Sequence, residues 1–159
     1  METKRFDIFM FALTKSQKNI SALLKKEMSE ENISHVEAIC IRSVAFNDGG
    51  ISASEICRMC FYDKALISRT LNHLKEREFI CINPLDEHKS RGKRYILTKK
   101  GRTISDKMSD FVSKLGTELV RDISDEDVEI FFQTAIKIMN NMQNISVKPI
   151  NQEAEQEKC

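Results

Sequence analysis

The stretch Phe79 to Thr98, FICINPLDEHKSRGKRYILT, constrains the fold more than any other. Its two ends, FICI and KRYILT, are too short and too rich in β-branched residues for helices, and Asn83-Pro84 stops the first run. They predict the strands of a β-hairpin around a polar, charged tip from Asp86 to Gly92. A second short element stands at Ile51-Ser52.

The flanking segments have helical period. RFDIFMFALTKSQKNISALLKKEM places Phe6, Phe9, Leu13, Ile20 and Leu23 at the spacing of a helix that packs on other helices. Ser29 to Ser34 interrupts it, and SHVEAICIRSVAF predicts a second helix with Ser34 as N-cap and Glu37 at the capping-box position. Asn47-Asp48-Gly49-Gly50 ends that helix in a turn. SASEICRMCF predicts a brief helix capped by Ser52 or Ser54, and Asp63 caps the next, DKALISRTLNHLKERE. In the latter, Ile67, Thr70, Leu71 and Leu74 form an inward stripe, and Lys64, Ala65, Ser68, Arg69 and Asn72 face the other way. Thr98 caps a long helix with Ile104, Met108, Phe111, Leu115 and Leu119 on one side, and a last helix starts near Ser124-Asp125.

Charge is segregated along this framework. The formal total is only +1, yet residues 58–102 carry 12 basic and 5 acidic side chains, while residues 103–159 carry 6 and 11. A localised basic island is the electrostatic footprint of a nucleic-acid reader. Two short helices joined by a tight turn and followed by a basic hairpin outline a winged helix-turn-helix. The expected fold class is mainly α (α+β): a winged helix-turn-helix with a small β-hairpin wing, flanked by N- and C-terminal dimerisation helices. The surplus apolar residues of the outer helices, Phe6, Phe9, Phe11, Phe131, Phe132, Ile136 and Met139, exceed what one small winged-helix core covers, which predicts a homodimer.

ISASEICRMCFYDKALISRTLNHLKEREFI and SRGKRYILTKKGR, in register from about Ser34 to Arg102, resemble the MarR family of bacterial winged-helix transcription regulators. The resemblance places Asp63 at the N-cap of the recognition helix, Ser68 and Arg69 at its DNA-facing Thr/Ser-Arg pair, and Arg91 at the arginine of the Asp-x-Arg wing motif. Two positions depart from the pattern: Lys89 replaces the acidic residue of that motif, with Asp86 or Glu87 as substitutes, and Glu78 replaces a glycine after the recognition helix. The implied layout is a MarR-type domain over 1–146, with dimerisation helices in 1–30 and 103–146 and a winged core over 34–102, then a disordered tail, 147–159.

The implied function is that of a cytoplasmic homodimer that binds a pseudo-palindromic operator in double-stranded DNA, as a repressor released by a small aromatic or phenolic effector. The DNA-binding candidates are Lys64, Ala65, Ser68, Arg69, Asn72, Lys89, Ser90, Arg91, Lys93 and Arg94. The effector-cleft candidates are Phe11, His35, Ile39, Met108 and Phe111. Two other readings stay open, a winged-helix protein-interaction module and a cysteine-based redox regulator of the same fold.

Other chemistry finds little support. No glycine-rich phosphate loop, nucleophile elbow or paired acid/base motif is present, so no enzyme, catalytic residue or cofactor is expected. Cys57-x-x-Cys60 lacks the second Cys/His pair of a zinc site and reads first as core packing. Five cysteines, an odd number, fit free thiols in a reducing compartment, and no run approaches the roughly 20 apolar residues of a membrane helix.

Overall fold

The computed structural model describes residues 2–60 and 62–144; the expected tail, with Pro149 and Cys159, lies outside them. The order is α1 (Glu2–Glu27), α2 (His35–Ala45), β1 (Ile51–Ser52), α3 (Ala53–Cys60), α4 (Lys64–Glu76), β2 (Ile80–Ile82), a 3-10 turn (Pro84–Asp86), β3 (Arg94–Leu97), α5 (Lys99–Leu119) and α6 (Asp125–Asn144). The chain divides into two compact units, 1–113 and 114–159. No helix among the described residues is long and apolar enough to cross a membrane.

The core lies in the first unit. Ile41 and Val44 of α2, Ile56 of α3, Ile67, Leu71 and Leu74 of α4, Phe79 and Ile80 before and in the sheet, and Ile104 and Met108 of α5 are all buried. The expected hairpin forms, with Ile80 opposite Leu97 and Ile82 opposite Tyr95. The Ile51-Ser52 element joins it as a third antiparallel strand, giving the order β1-β3-β2. β3 is therefore central, and the wing is anchored on both sides.

Helix starts follow the sequence closely. Ser34 and Glu37 close the predicted capping box on α2. Of the two candidate caps for α3 it is Ser52 that serves: its hydroxyl accepts from Glu55 N at 3.3 Å, and the Glu55 carboxylate accepts from Ser52 N at 2.9 Å. Asp63 caps α4 by accepting from Ala65 N and Leu66 N. The α4 stripe of Ile67, Thr70, Leu71 and Leu74 is buried as predicted.

The end of α4 resolves the missing glycine. Glu78 takes the left-handed conformation at φ 62°, and Phe79 N donates to Leu74 O while Glu78 N donates to Lys75 O. This pairing is a Schellman motif, with buried Phe79 and Leu74 making its apolar contact. A non-glycine residue there costs about 1–2 kcal/mol, partly offset by the greater unfolded-state freedom of glycine. Glu78→Gly is thus expected to stabilise the chain by up to about 1 kcal/mol in urea denaturation, and a destabilised variant contradicts the strain assigned to this position.

Candidate nucleic-acid interface

Two elements carry the basic residues: the outer face of α4 and the β2–β3 hairpin. Lys64, Ala65, Ser68, Arg69 and Asn72 are all exposed on α4, opposite its buried stripe. In the wing, Lys89, Ser90, Arg91 and Arg94 are exposed and Lys93 is half-buried. A groove of about 590 Å³ connects the two sets, lined by Ser52, Ala53 and Ser54 at the start of α3, Lys64 of α4, and Ser90, Arg91, Gly92, Lys93 and Tyr95 of the wing. Lys64, Ser90, Arg91 and Lys93, predicted separately from two stretches of sequence, therefore share one groove.

The wing is braced by Asp86, one of the two carboxylates expected to stand in for the missing acidic residue. Its side chain is buried, lies 2.5 Å from Lys89 Nζ and accepts from Arg94 N at 3.2 Å. The bracing cation is thus Lys89, not Arg91. Asn83 fixes the base of the wing, donating to Gly49 O and accepting from Leu85 N.

The Lys89 hydrogen bond, which outweighs desolvation, together with the Arg94 N–H holds the Asp86 carboxyl below the usual carboxylate range. A depressed carboxyl contributes stability above its unfolded value and loses it as pH falls through the folded one, so the brace persists at neutral and mildly acidic pH. Asp86→Asn removes the ion pair at every pH. The variant is expected to be cut by trypsin after Lys89 or Arg91 faster than the wild type at pH 7, and equal cleavage rates contradict the brace.

A second carboxylate ties α4 to the rest of the domain. Buried Glu37 accepts from Arg77 at 2.9 Å, approaches His73 Nδ1 at 3.0 Å and accepts from Ser34 N at 2.8 Å. Burial raises the Glu37 pKa, but the Ser34 hydrogen bonds and the Arg77 guanidinium outweigh it and leave the carboxyl below its ordinary value. Arg77 also donates to Glu31 O and Asn32 O and lies over the Phe79 ring at 4.8 Å. Sequence reasoning assigned Glu37 only its local capping role; its partners stand 36 and 40 residues away. The His73 side chain on α4 faces Glu37 and is 57% exposed.

The effector-cleft candidates do not share a cavity. Ile39 and Met108 line an apolar cleft of about 310 Å³ with Leu24, Ala38, Arg42, Ser43, Phe46, Met59 and Val112. His35 lines a different groove between α1, α2 and His73, and Phe111 a third beside Lys107 and Glu30. Phe11 is 75% exposed. Residues at helical spacing share a face, but which neighbour each face meets is set by packing, and that dispersed the five.

No protein-family model and no curated protein sequence matches the chain. Solved structures do match it. Staphylococcus aureus MarR in complex with salicylate and kanamycin superposes with a TM-score of 0.78 at 19% identity, covering 90% of this chain and 95% of that one. The fold is that of the MarR-family regulators. A MarR/EmrR family transcriptional regulator from Acinetobacter sp. ADP1 gives 0.74 at 21% identity, over 91% and 99% of the two chains. The transcriptional regulator SlyA gives 0.77 at 15% identity, over 86% and 94%. In this winged-helix fold the β2–β3 hairpin is the wing, and α3 and α4 are the two helices that precede it.

Proposed function

We propose that the chain is a sequence-specific DNA-binding transcription regulator that works as a homodimer and represses until an effector releases it. The observation that carries this reading is the shared groove: the exposed face of α4 and a braced basic wing meet at Lys64, Arg91 and Lys93. Ala65, Ser68, Arg69 and Asn72 read base edges in the major groove, where polar side chains and small apolar contacts discriminate bases. Lys89, Ser90, Arg91, Lys93 and Arg94 serve phosphates and the edge of the adjacent minor groove.

Two helices support the dimer. On α1, Phe6, Ile8, Phe11 and Leu13 are exposed, and on α6, Ile130, Phe131, Phe132, Ile136 and Met139 are exposed. A second copy that covers these stripes completes the layout in which 1–30 and 103–146 form the dimer base and 34–102 the reading head. The apolar cleft lined by Ile39 and Met108 suits a small aromatic molecule, and salicylate, present in the Staphylococcus aureus MarR structure, is the first effector to test.

DNase footprinting on the DNA upstream of the protein's own gene tests the reading. It expects one protected pseudo-palindrome whose half-sites lie about 10 base pairs apart or a multiple of that. Uniform weak binding that vanishes near physiological salt overturns it and favours a protein-interaction module.

A further inference from the structure

The geometry points to Cys57 and Cys60 as a chelating dithiol that binds a soft, thiophilic electrophile, a trivalent arsenical being the class that two sulfurs take best. The two thiols lie three residues apart on α3, where side chains are neighbours with about 5–6 Å between Cβ atoms. Both are half-buried and packed at the edge of the core, so they point to one side and remain reachable. Neither forms a disulfide, and the Cys60 sulfur lies 3.8 Å from the Ser43 hydroxyl on α2, which places Cys60 at the α2–α3 seam.

Cys40 of α2 lies beneath them and behaves differently. It is fully buried, and burial first, then the neighbouring Cys60 and Cys57, push its thiol up to about 12. Cys40 therefore stays protonated and inert, as a packing cysteine does. Among the described residues no three His, Cys, Asp or Glu side chains are arranged to hold a metal ion, which argues against a preformed metal cage and leaves a two-sulfur chelate. The reaction needs no oxidant: phenylarsine oxide and two thiols give a phenylarsenic dithiolate and one water. Two As–S bonds form, the arsenic–oxygen bond is lost, both thiol protons leave on that oxygen, and arsenic stays trivalent.

Because α3 packs against both α2 and α4, closing two sulfurs onto one atom shifts the helix on which α4 rests. This consequence for DNA depends on the proposed function, whereas the chelate does not. The full chain carrying Cys81→Ser and Cys159→Ser, treated with phenylarsine oxide, is expected to take up one phenylarsenic group by intact mass and to lose alkylation at Cys57 and Cys60 together. Cys57→Ser and Cys60→Ser should each abolish uptake, and Cys40→Ser should not. Uptake that persists in either single variant overturns the site. If the unloaded protein binds an operator, loading should weaken that binding about 5–150-fold; unchanged affinity in the loaded protein overturns the coupling, while absent operator binding before loading counts against the regulator reading alone.

Discussion

Gly101→Ala is expected to lower the stability of the domain by about 3 kcal/mol or more, out of the roughly 5–15 kcal/mol that domains of this kind possess. A Cβ on residue 101 would stand 1.8 Å from Phe79 O and 2.8 Å from the carbonyl carbon, distances no packed atom tolerates. The carbonyl cannot yield freely. Phe79 O accepts from Thr98 N at 3.1 Å and from the Thr98 hydroxyl at 3.2 Å, and that hydroxyl also donates to Glu78 O and accepts from Gly101 N. Phe79 is itself held by the Schellman motif at the end of α4 and by the cations of Arg77 and Lys100 over its ring.

Making room for a methyl therefore means separating the start of α5 from the end of α4 and losing several hydrogen bonds at about 1 kcal/mol each. The melting temperature should fall by roughly 10 °C for a chain of this size. Gly116→Ala is the matched control, because a Cβ there meets nothing within 4 Å along the same helix. It should leave stability unchanged or raise it by up to about 1 kcal/mol. Equal effects at the two sites would contradict the close approach at Phe79.

Arg69→Ala is expected to cost about 1–3 kcal/mol per half-site on the cognate operator, so that a dimer loses between about 2 and 6 kcal/mol. Arg69 is exposed on α4, two turns from the Asp63 cap and away from the buried stripe, so its truncation leaves the core intact and the melting temperature nearly unchanged. A guanidinium that reads a base edge matters only where the right base is present. The loss should concentrate on the operator, with a much smaller effect on a scrambled duplex of equal length. Equal losses on both duplexes would make Arg69 a phosphate ligand and move specificity to Ser68 and Asn72.

Much of the fold was legible because it is written locally. The caps at Ser34, Asp63 and Thr98 and the α4 stripe depend on residues within one or two turns of each other, which spacing reveals. The basic residues at the groove were legible for a similar reason: charge clustered in one stretch stays clustered when that stretch is a hairpin. Contacts between distant segments were not legible. Neither the Glu37–Arg77 pair nor the approach of Gly101 to Phe79 leaves a periodic trace, since each joins segments that meet only after the domain has packed. Ile51-Ser52 was legible only as a short element and not as a strand, because two residues show no alternation, and Asp86 was one of two candidate braces until its burial singled it out. The outer helices show the limit most clearly: periodicity identified an apolar face on α1, yet Phe6, Phe11 and Leu13 are exposed in the single chain. A sequence pattern says which face seeks cover, and not whose surface provides it.

The salt dependence of DNA binding by the wild type and Arg91→Ala tests the central claim most directly. Arg91 is exposed in the wing, lines the groove with Lys64, and is not the residue that braces the hairpin, so its removal deletes a cation without loosening the structure. Binding isotherms on operator and scrambled duplexes across several salt concentrations should show Arg91→Ala weaker on both. The slope of log affinity against log salt should fall by about 0.9 for each phosphate that the variant no longer neutralises. An Arg91→Ala protein with wild-type affinity and an unchanged slope would mean that the basic hairpin does not grip DNA, and the reading built on it would fail.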